Sequence, residues 1–421
     1  MMRFLRVLLL IMVACLLLPG KAIAFCGFYV ATADAQLYNQ ASQVAIARDG
    51  NRTILTMAND YQGAPKDFAL VVPVPVILQE EQVNVADSKI IARLDGFSAP
   101  RLVEYFDPNP CEPPVYFRSA PFLNSGVPEA AGIIANDASL GVTVEAEFTV
   151  GEYDIVILSA EESDGLETWL SQNDYKIPKG VSRLLKPYIR QEMKFFVAKV
   201  NLAEFANTGF KALRPLQIAY ESPKFMLPIR LGTVNSQGEQ DLILYLLSPK
   251  GQIELTNYRT VQVPSNVEIP EFVQEEFDDF YRTMFTTAYR RENKEAAFLE
   301  YAWDMSWCDP CADNPLTEEE LKQAGVFWLI ENTSRTNVFL TRLHLRYTGA
   351  KFAEDLRFQT TSNSQLFQGR YIIRHPFTGE TNCREAEAYE RTVRQRQEQE
   401  AQTLANLTGW DINEIRNKVN F

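Results

Sequence analysis

The first 24 residues set the environment in which the rest of the chain folds, and so decide how each cysteine is read. Arg3 and Arg6 give a basic start, Val7 to Leu18 form an apolar run, and Ala22-Ile23-Ala24 is a small-x-small cleavage site. This is the layout of a secretory signal peptide. Its apolar run is shorter than the roughly 18 residues that a spanning helix needs. The expected cut falls between Ala24 and Phe25, for a chain exported through the general secretory pathway to the periplasm or the exterior. Two other readings stay open. One is an uncleaved anchor; the other is a lipid-modified Cys15 after Met12-Val13-Ala14, where Met12 fits poorly and apolar Leu16-Leu17-Leu18 would follow the cut. Beyond residue 24 the most apolar run, Phe68 to Ile77, is interrupted by Pro73 and Pro75, so no transmembrane segment is expected in the mature chain.

Hydrophobic residues make up 46% of the 421 and charged residues 23%, which suits a folded globular chain and excludes wholesale disorder. The net charge is −13, and removing Arg3, Arg6 and Lys21 with the leader takes it to −16. That balance argues against nucleic acid as a partner. Neither Gly-x-x-x-x-Gly-Lys-Ser/Thr nor Gly-x-Gly-x-x-Gly occurs, so the common phosphate cradles are missing and no cofactor is expected. Only two histidines exist, His344 and His375. A multi-histidine zinc site is therefore excluded, and any Ser or Cys triad has to use one of these two. His344 alternates with Leu343 and Leu345 in a strand, and His375 precedes Pro376. Both read first as structural histidines.

Strand and helix signals mix along the chain without a strict βαβ alternation. Ser42 to Arg48 and Arg52 to Asn59 are β-prone runs joined by Asp49-Gly50-Asn51, a hairpin signal. Val142 to Val150 alternates at period two, and Tyr153 to Leu158, Lys194 to Asn201, Leu216 to Tyr220, Asp241 to Leu247 and Gln252 to Tyr258 read as further strands. Ser88 to Leu94 and Pro100 to Phe106 read as short helices, and Val326 to Glu331 as a strand. Asp107 to Ser139, rich in Pro, Gly, Asn and Ala, reads as a long loop. Val273, Phe277, Phe280, Tyr281, Met284 and Ala288 fall at helical spacing, so Glu271 to Arg291 is expected as a long amphipathic helix. Thr317 with Glu320 forms a capping box. Arg384 to Leu404, mixing Glu, Arg and Gln, reads as a solvated helix. The pattern favours an α+β fold of mainly antiparallel sheets with packed helices, a long helix opening its C-terminal part. A composition shift places domains at 25–262 and 263–421 after the signal peptide at 1–24.

One local motif carries chemistry: Trp307-Cys308-Asp309-Pro310-Cys311. Two thiols one turn apart, with Trp before and Pro between, match the thioredoxin-type redox pattern, which needs its first thiol lowered in pKa at a helix N-terminus. Pro315 follows too closely for a helix to run on from the motif, and Asp304, Asp309 and Asp313 oppose a thiolate. Three readings stay open: a structural disulfide, a redox-active pair, and half of a metal site. Export makes the disulfide the default. The mature chain would keep Cys26, Cys111, Cys308, Cys311 and Cys383. Cys308 with Cys311 is the first candidate pair, with one further pair among Cys26, Cys111 and Cys383; connectivity is not readable from sequence. The acidic groups Glu275, Glu276, Asp278, Asp279 and Glu318 to Glu320 read as solvated helix faces, and nothing selects a glycosidase pair from them.

Phe25-Cys26-Gly27-Phe28-Tyr29-Val30-Ala31, Leu55 to Asp60, Val71-Val72-Pro73-Val74-Pro75, Ser98 to Phe106, Tyr220 to Phe225, the Cys308 to Cys311 motif and Leu407-Thr408-Gly409-Trp410 resemble an uncharacterised bacterial family, domain of unknown function 2330. The resemblance implies export and one shared architecture over essentially the whole mature chain. It implies no activity and no catalytic residues. Two classes stand. The first is a non-enzymatic binding or structural protein of the cell envelope, its partner an envelope protein or ligand of unknown identity. The second is an exported thiol-disulfide oxidoreductase using Cys308 and Cys311.

N-terminal sequencing of exported material is expected to read Phe25-Cys26-Gly27-Phe28; a retained Met1 or a lipid on Cys15 overturns the leader reading.

Overall fold

The computed structural model describes residues 28–31, 42–58, 68–112, 142–173, 175, 180–209, 213–235, 238–307, 309, 314–329 and 337–419. In chain order its elements begin with β1 (Phe28–Ala31), β2 (Ser42–Asp49), β3 (Arg52–Ala58), β4 (Phe68–Val74), β5 (Val83–Val85), α1 (Ser88–Ser98) and β6 (Arg101–Phe106). Next come β7 (Thr143–Val150), β8 (Tyr153–Ser159), α2 (Ser163–Gln172), α3 (Val181–Ile189), β9 (Lys194–Val200), α4 (Leu202–Thr208), β10 (Leu216–Glu221) and β11 (Met226–Leu227). Strands β12 (Gln240–Ser248), β13 (Ile253–Leu255), β14 (Arg259–Gln262) and β15 (Val267–Glu268) lead to α5 (Phe277–Arg291) and β16 (Ala296–Asp304). The chain continues through α6 (Glu318–Gln323), β17 (Phe339–Tyr347), β18 (Leu356–Thr360), β19 (Phe367–Gln368), β20 (Arg370–His375), α7 (Ala386–Thr408) and α8 (Ile412–Lys418).

The fold is α+β, with mostly antiparallel sheets. Period-two alternation gives each strand two faces, and the central strands of the two large sheets bury both. In the nine-stranded sheet, the order β14-β16-β17-β12-β2-β3-β10-β5, with short β19 also paired to β16, turns Val44, Ile46, Leu242, Leu244, Leu246, Leu343 and Leu345 inward. They meet Leu70, Val72, Ile155, Ile157, Phe196 and Ala198 of the five-stranded sheet β1-β4-β9-β8-β7. The outer face of the smaller sheet, with Ala69, Val71, Phe195 and Val197, packs against Leu166 and Leu170 of α2 and Leu185 and Tyr188 of α3. The outer face of the larger sheet carries two apolar patches. One joins Ala45, Ala47, Tyr245 and Leu247 to α1 and to Leu321 of α6; the other joins Phe298 to α5, α7 and α8. Helices thus cover both outer faces of a two-sheet sandwich.

Two small sheets complete the described residues. One has the order β11-β18-β13, and the other is the parallel set β15-β20-β6. The second corrects an expectation: Pro100 to Phe106 is not a helix, because Arg101 to Phe106 pair in register with Arg370 to His375. Val326 to Leu329 form no strand, and Glu331 lies outside the described residues. The long helix starts at Phe277, after a separate 3-10 turn at Glu271–Gln274. Of the loop expected over Asp107 to Ser139, residues 113 to 139 lie outside the description. The nine-stranded sheet draws β2, β3, β5, β10, β12 and β14 from before residue 263 and β16, β17 and β19 from after it.

Local chemistry fixes how α6 meets this sheet. Thr317 and Glu320 form the expected capping box at its start. At its end Gly325 takes φ 97, with its N–H donating to the Lys322 carbonyl at 3.0 Å and that of Val326 to Leu321 at 2.9 Å. This pair of hydrogen bonds closes the helix and lays Val326 beside Leu321 in the outer apolar patch. A Cβ on Gly325 would stand 2.7 Å from Ile54 Cγ2. Gly325→Ala is expected to destabilise by about 1–2 kcal/mol from the left-handed backbone alone, and by more through the Ile54 contact. Denaturant unfolding measures it; an unchanged midpoint contradicts the α6 seating described here.

Candidate functional site

In β17 the sequence Arg342-Leu343-His344-Leu345-Arg346 splits by face. The leucines enter the sandwich core, so Arg342, His344 and Arg346 share the outer face. Opposite them β16 carries a bulge: Leu299 faces Leu343 and Tyr301 faces Arg342, leaving Glu300 as the extra residue. Bulges re-aim a side chain in this way. Glu300 is fully buried and joins the basic residues, while its carbonyl accepts from the Gly369 N–H at 2.7 Å.

The result is an alternating string of charges beneath α1 and α5. Asp95 of α1 accepts from Arg342 Nη1 at 2.7 Å, and Arg342 Nε donates to Glu300 Oε2 at 2.6 Å. Glu300 Oε1 faces His344 Nδ1 at 2.8 Å and also accepts from the Tyr281 hydroxyl of α5. His344 Nε2 faces Asp241 Oδ1 at 3.2 Å, and Asp241 accepts from Arg346 Nε and Nη2 at 2.7 and 2.9 Å. Tyr245 donates to Asp95 at 2.7 Å, and Arg346 reaches Thr286 Oγ1 at 3.0 Å. The Phe285 ring stacks on His344 at 3.8 Å.

Carboxylates accept and do not donate, so an imidazole with one at each nitrogen satisfies both only as the imidazolium. With that proton, three cations (Arg342, His344, Arg346) balance three carboxylates (Asp95, Glu300, Asp241). Without it the string holds one excess negative charge. Burial alone lowers the His344 pKa, but Glu300 and Asp241 outweigh it and raise it above its ordinary value. Burial would raise Glu300; His344 and Arg342 reverse this and hold it at about 2. Asp241 is likewise pulled well below the usual carboxylate range by His344 and Arg346 against its own burial. His375 repeats the device nearer the surface. Its Nδ1 lies 3.0 Å from Glu271 and its Nε2 2.8 Å from Glu104, and it stacks on Phe106 at 4.5 Å.

Chemically the string is closed. Both oxygens of Glu300 and both nitrogens of His344 are engaged by protein groups, and Glu300 is fully buried beneath them. Among the described residues, no three His, Cys, Asp or Glu side chains are placed to hold a metal ion.

The candidates read from sequence fall elsewhere. Cys111 and Cys383 are joined, with an S–S distance of 2.15 Å across 272 residues. Cys26, Cys308, Cys311, Ala24 and Phe25 lie outside the described residues. Within the motif, Asp309 is buried and accepts from the Tyr301 hydroxyl at 3.1 Å and Gln368 Nε2 at 2.9 Å. Of the acidic groups, Asp279 pairs with Arg282, Glu276 with Lys418, Glu318 with Lys322 and Glu320 with Arg93. Glu300 was hidden inside the run Ala296 to Trp303, where a lone acid among apolar residues was its only signal. No helix among the described residues is long and apolar enough to cross a membrane.

Glu300→Gln removes the charge shared by Arg342 and His344 and is expected to destabilise by about 3–5 kcal/mol. It should also lower the His344 pKa, readable by NMR titration. The raised His344 pKa contributes stability that is complete below about 6.5, its unfolded value, and is lost as pH rises through the folded value. The lowered Glu300 pKa contributes stability present above about 4.5 and lost as pH falls through about 2. A His344 titrating below 6.5 in the native protein contradicts the string.

No curated protein and no solved structure matches the chain. One family profile does, over residues 20–359, a span that ends within β18 and leaves β19, β20, α7, α8 and the Leu407 to Trp410 stretch beyond it. With most of its length matched, the chain belongs to the family of uncharacterized proteins conserved in bacteria, domain of unknown function 2330.

Proposed function

We propose that the chain is an exported protein of the bacterial cell envelope that binds a partner or ligand and catalyses no reaction. The observation that carries the export reading is the Cys111–Cys383 bond. Disulfides of this kind form and persist in oxidising compartments and are rare in the cytosol. The leader pattern of residues 1–24 supports the same reading. The closed charge string supports the non-enzymatic part: its buried acid and histidine are spent on each other and on Arg342, Arg346 and Tyr281.

The thiol-disulfide exchange reading rests on Cys308 and Cys311, with Trp307 half exposed beside them. Asp309 works against it, since a carboxylate between the two thiols in sequence disfavours a thiolate.

Mapping thiols in the protein from an envelope fraction separates the two readings. The expected outcome is Cys111 and Cys383 blocked until reduction, with no reduction of a model disulfide by the purified chain. Free Cys111 and Cys383 in native protein overturn the export reading. A Cys308 titrating below about 7, with turnover abolished by Cys308→Ser, replaces the non-enzymatic reading with the exchange enzyme.

A further inference from the structure

α7 looks like a solvated helix by composition, yet it buries Glu400 beside Ala401 and Leu404. The acid enters a cluster built by four elements. On its own helix Arg396 donates from Nη1 to Asp107 Oδ2 at 2.8 Å, just past β6, and the Tyr389 hydroxyl donates to the same oxygen at 2.8 Å. From β20, Arg374 donates to Glu268 of β15 at 3.0 Å and stands 3.9 Å from Asp107. Two guanidinium groups thus meet two carboxylates, Asp107 and Glu268, before Glu400 is counted.

Glu400 is the unbalanced member. Its Oε1 lies 3.4 Å from Arg396 Nε, an ion-pair distance without a hydrogen bond, and Oε1, Arg396 Nε and Arg396 Nη2 are all buried without hydrogen-bond partners among the described residues. An ionised carboxylate left in that state is costly, whereas a neutral acid leaves the cluster at zero charge. The other cations of α7 do not compensate it: Arg391 pairs with Glu387 at the surface and Arg394 is exposed, while the neighbouring acid Glu398 is taken by Arg416 of α8.

We propose that the seating of α7 on the β15-β20-β6 sheet is operated by a proton: Glu400 docks as the neutral acid, and its ionisation as pH rises loosens the helix. The Cys111–Cys383 bond, three residues before α7 begins, keeps the loosened helix tethered to the end of β6. Burial raises the Glu400 pKa to about 7, with Arg396 opposing and Glu268 adding to the rise. A raised acid binds its proton more tightly in the seated state. The seating is therefore strongest below about 4.5, the unfolded value, weakens as pH rises to about 7, and is flat beyond. His375 sits in the same sheet, but its partners Glu104 and Glu271 belong to β6 and the 3-10 turn, not to α7.

The test is hydrogen exchange of residues 386–408 at pH 5 and pH 8, expressed as protection factors corrected for intrinsic exchange. Wild-type protection is expected to fall at least about tenfold between the two, and Glu400→Gln to abolish the fall by holding the neutral form. Equal protection at both pH values in the wild type overturns the proposal, as does the same fall in Glu400→Gln. Carbon-13 NMR titration of the wild-type Glu400 carboxyl is independent of the variant's folding: a midpoint near 4.5 overturns the proposal, and one well above it supports it.

Discussion

A buried carboxylate held between a guanidinium and an imidazolium is the interaction on which the outer face of the large sheet depends. Glu300 reaches that position only through the bulge in β16, and the bulge offsets β16 against β17 by one residue. The charge therefore works as a register mark. Any other alignment would leave Glu300, Arg342 or His344 unpaired in a dry environment, at a cost of several kcal/mol per ion. Such a network adds little net stability over well-packed apolar side chains, but it penalises the wrong pairings heavily.

The string also solves a packing problem. The outer face is covered by two separate helical groups, α1 with α6 and α5 with α7 and α8. Asp95 belongs to the first and Tyr281, Phe285 and Thr286 to the second, so the charges run from one apolar patch to the other. Both groups are positioned against the sheet by directional bonds, where apolar contact alone would allow sliding. His375 makes a smaller version of the same joint, linking β6, β20 and the turn before α5.

What was legible in the sequence was what neighbouring residues decide. Asp49-Gly50-Asn51 makes the β2–β3 hairpin, and Thr317 with Glu320 makes the cap of α6, because both act within a few residues. The alternation of Leu343, His344 and Leu345 already placed the histidine on one face of a strand. β6 does not show in its own residues because its strand character comes from β20, which is distant in the chain and parallel to it, a pairing with no local turn signal. Glu300 was invisible because a bulge breaks the period on which pattern reading relies. Arg384 to Leu404 reads as solvated although it buries Glu400, because the polar residues there outnumber the apolar ones, Ala401 and Leu404 among them, that turn this side of the helix inward.

The Cys111–Cys383 bond turns the middle of the molecule into a covalent ring. Both large sheets have most of their strands inside that ring, while β1 to β6 enter from one end and α7 and α8 leave from the other. A single backbone scission anywhere between residues 111 and 383 opens the ring without separating the pieces. A once-nicked chain therefore keeps its first and last segments in one covalent body, and its strands stay at high effective concentration with respect to one another.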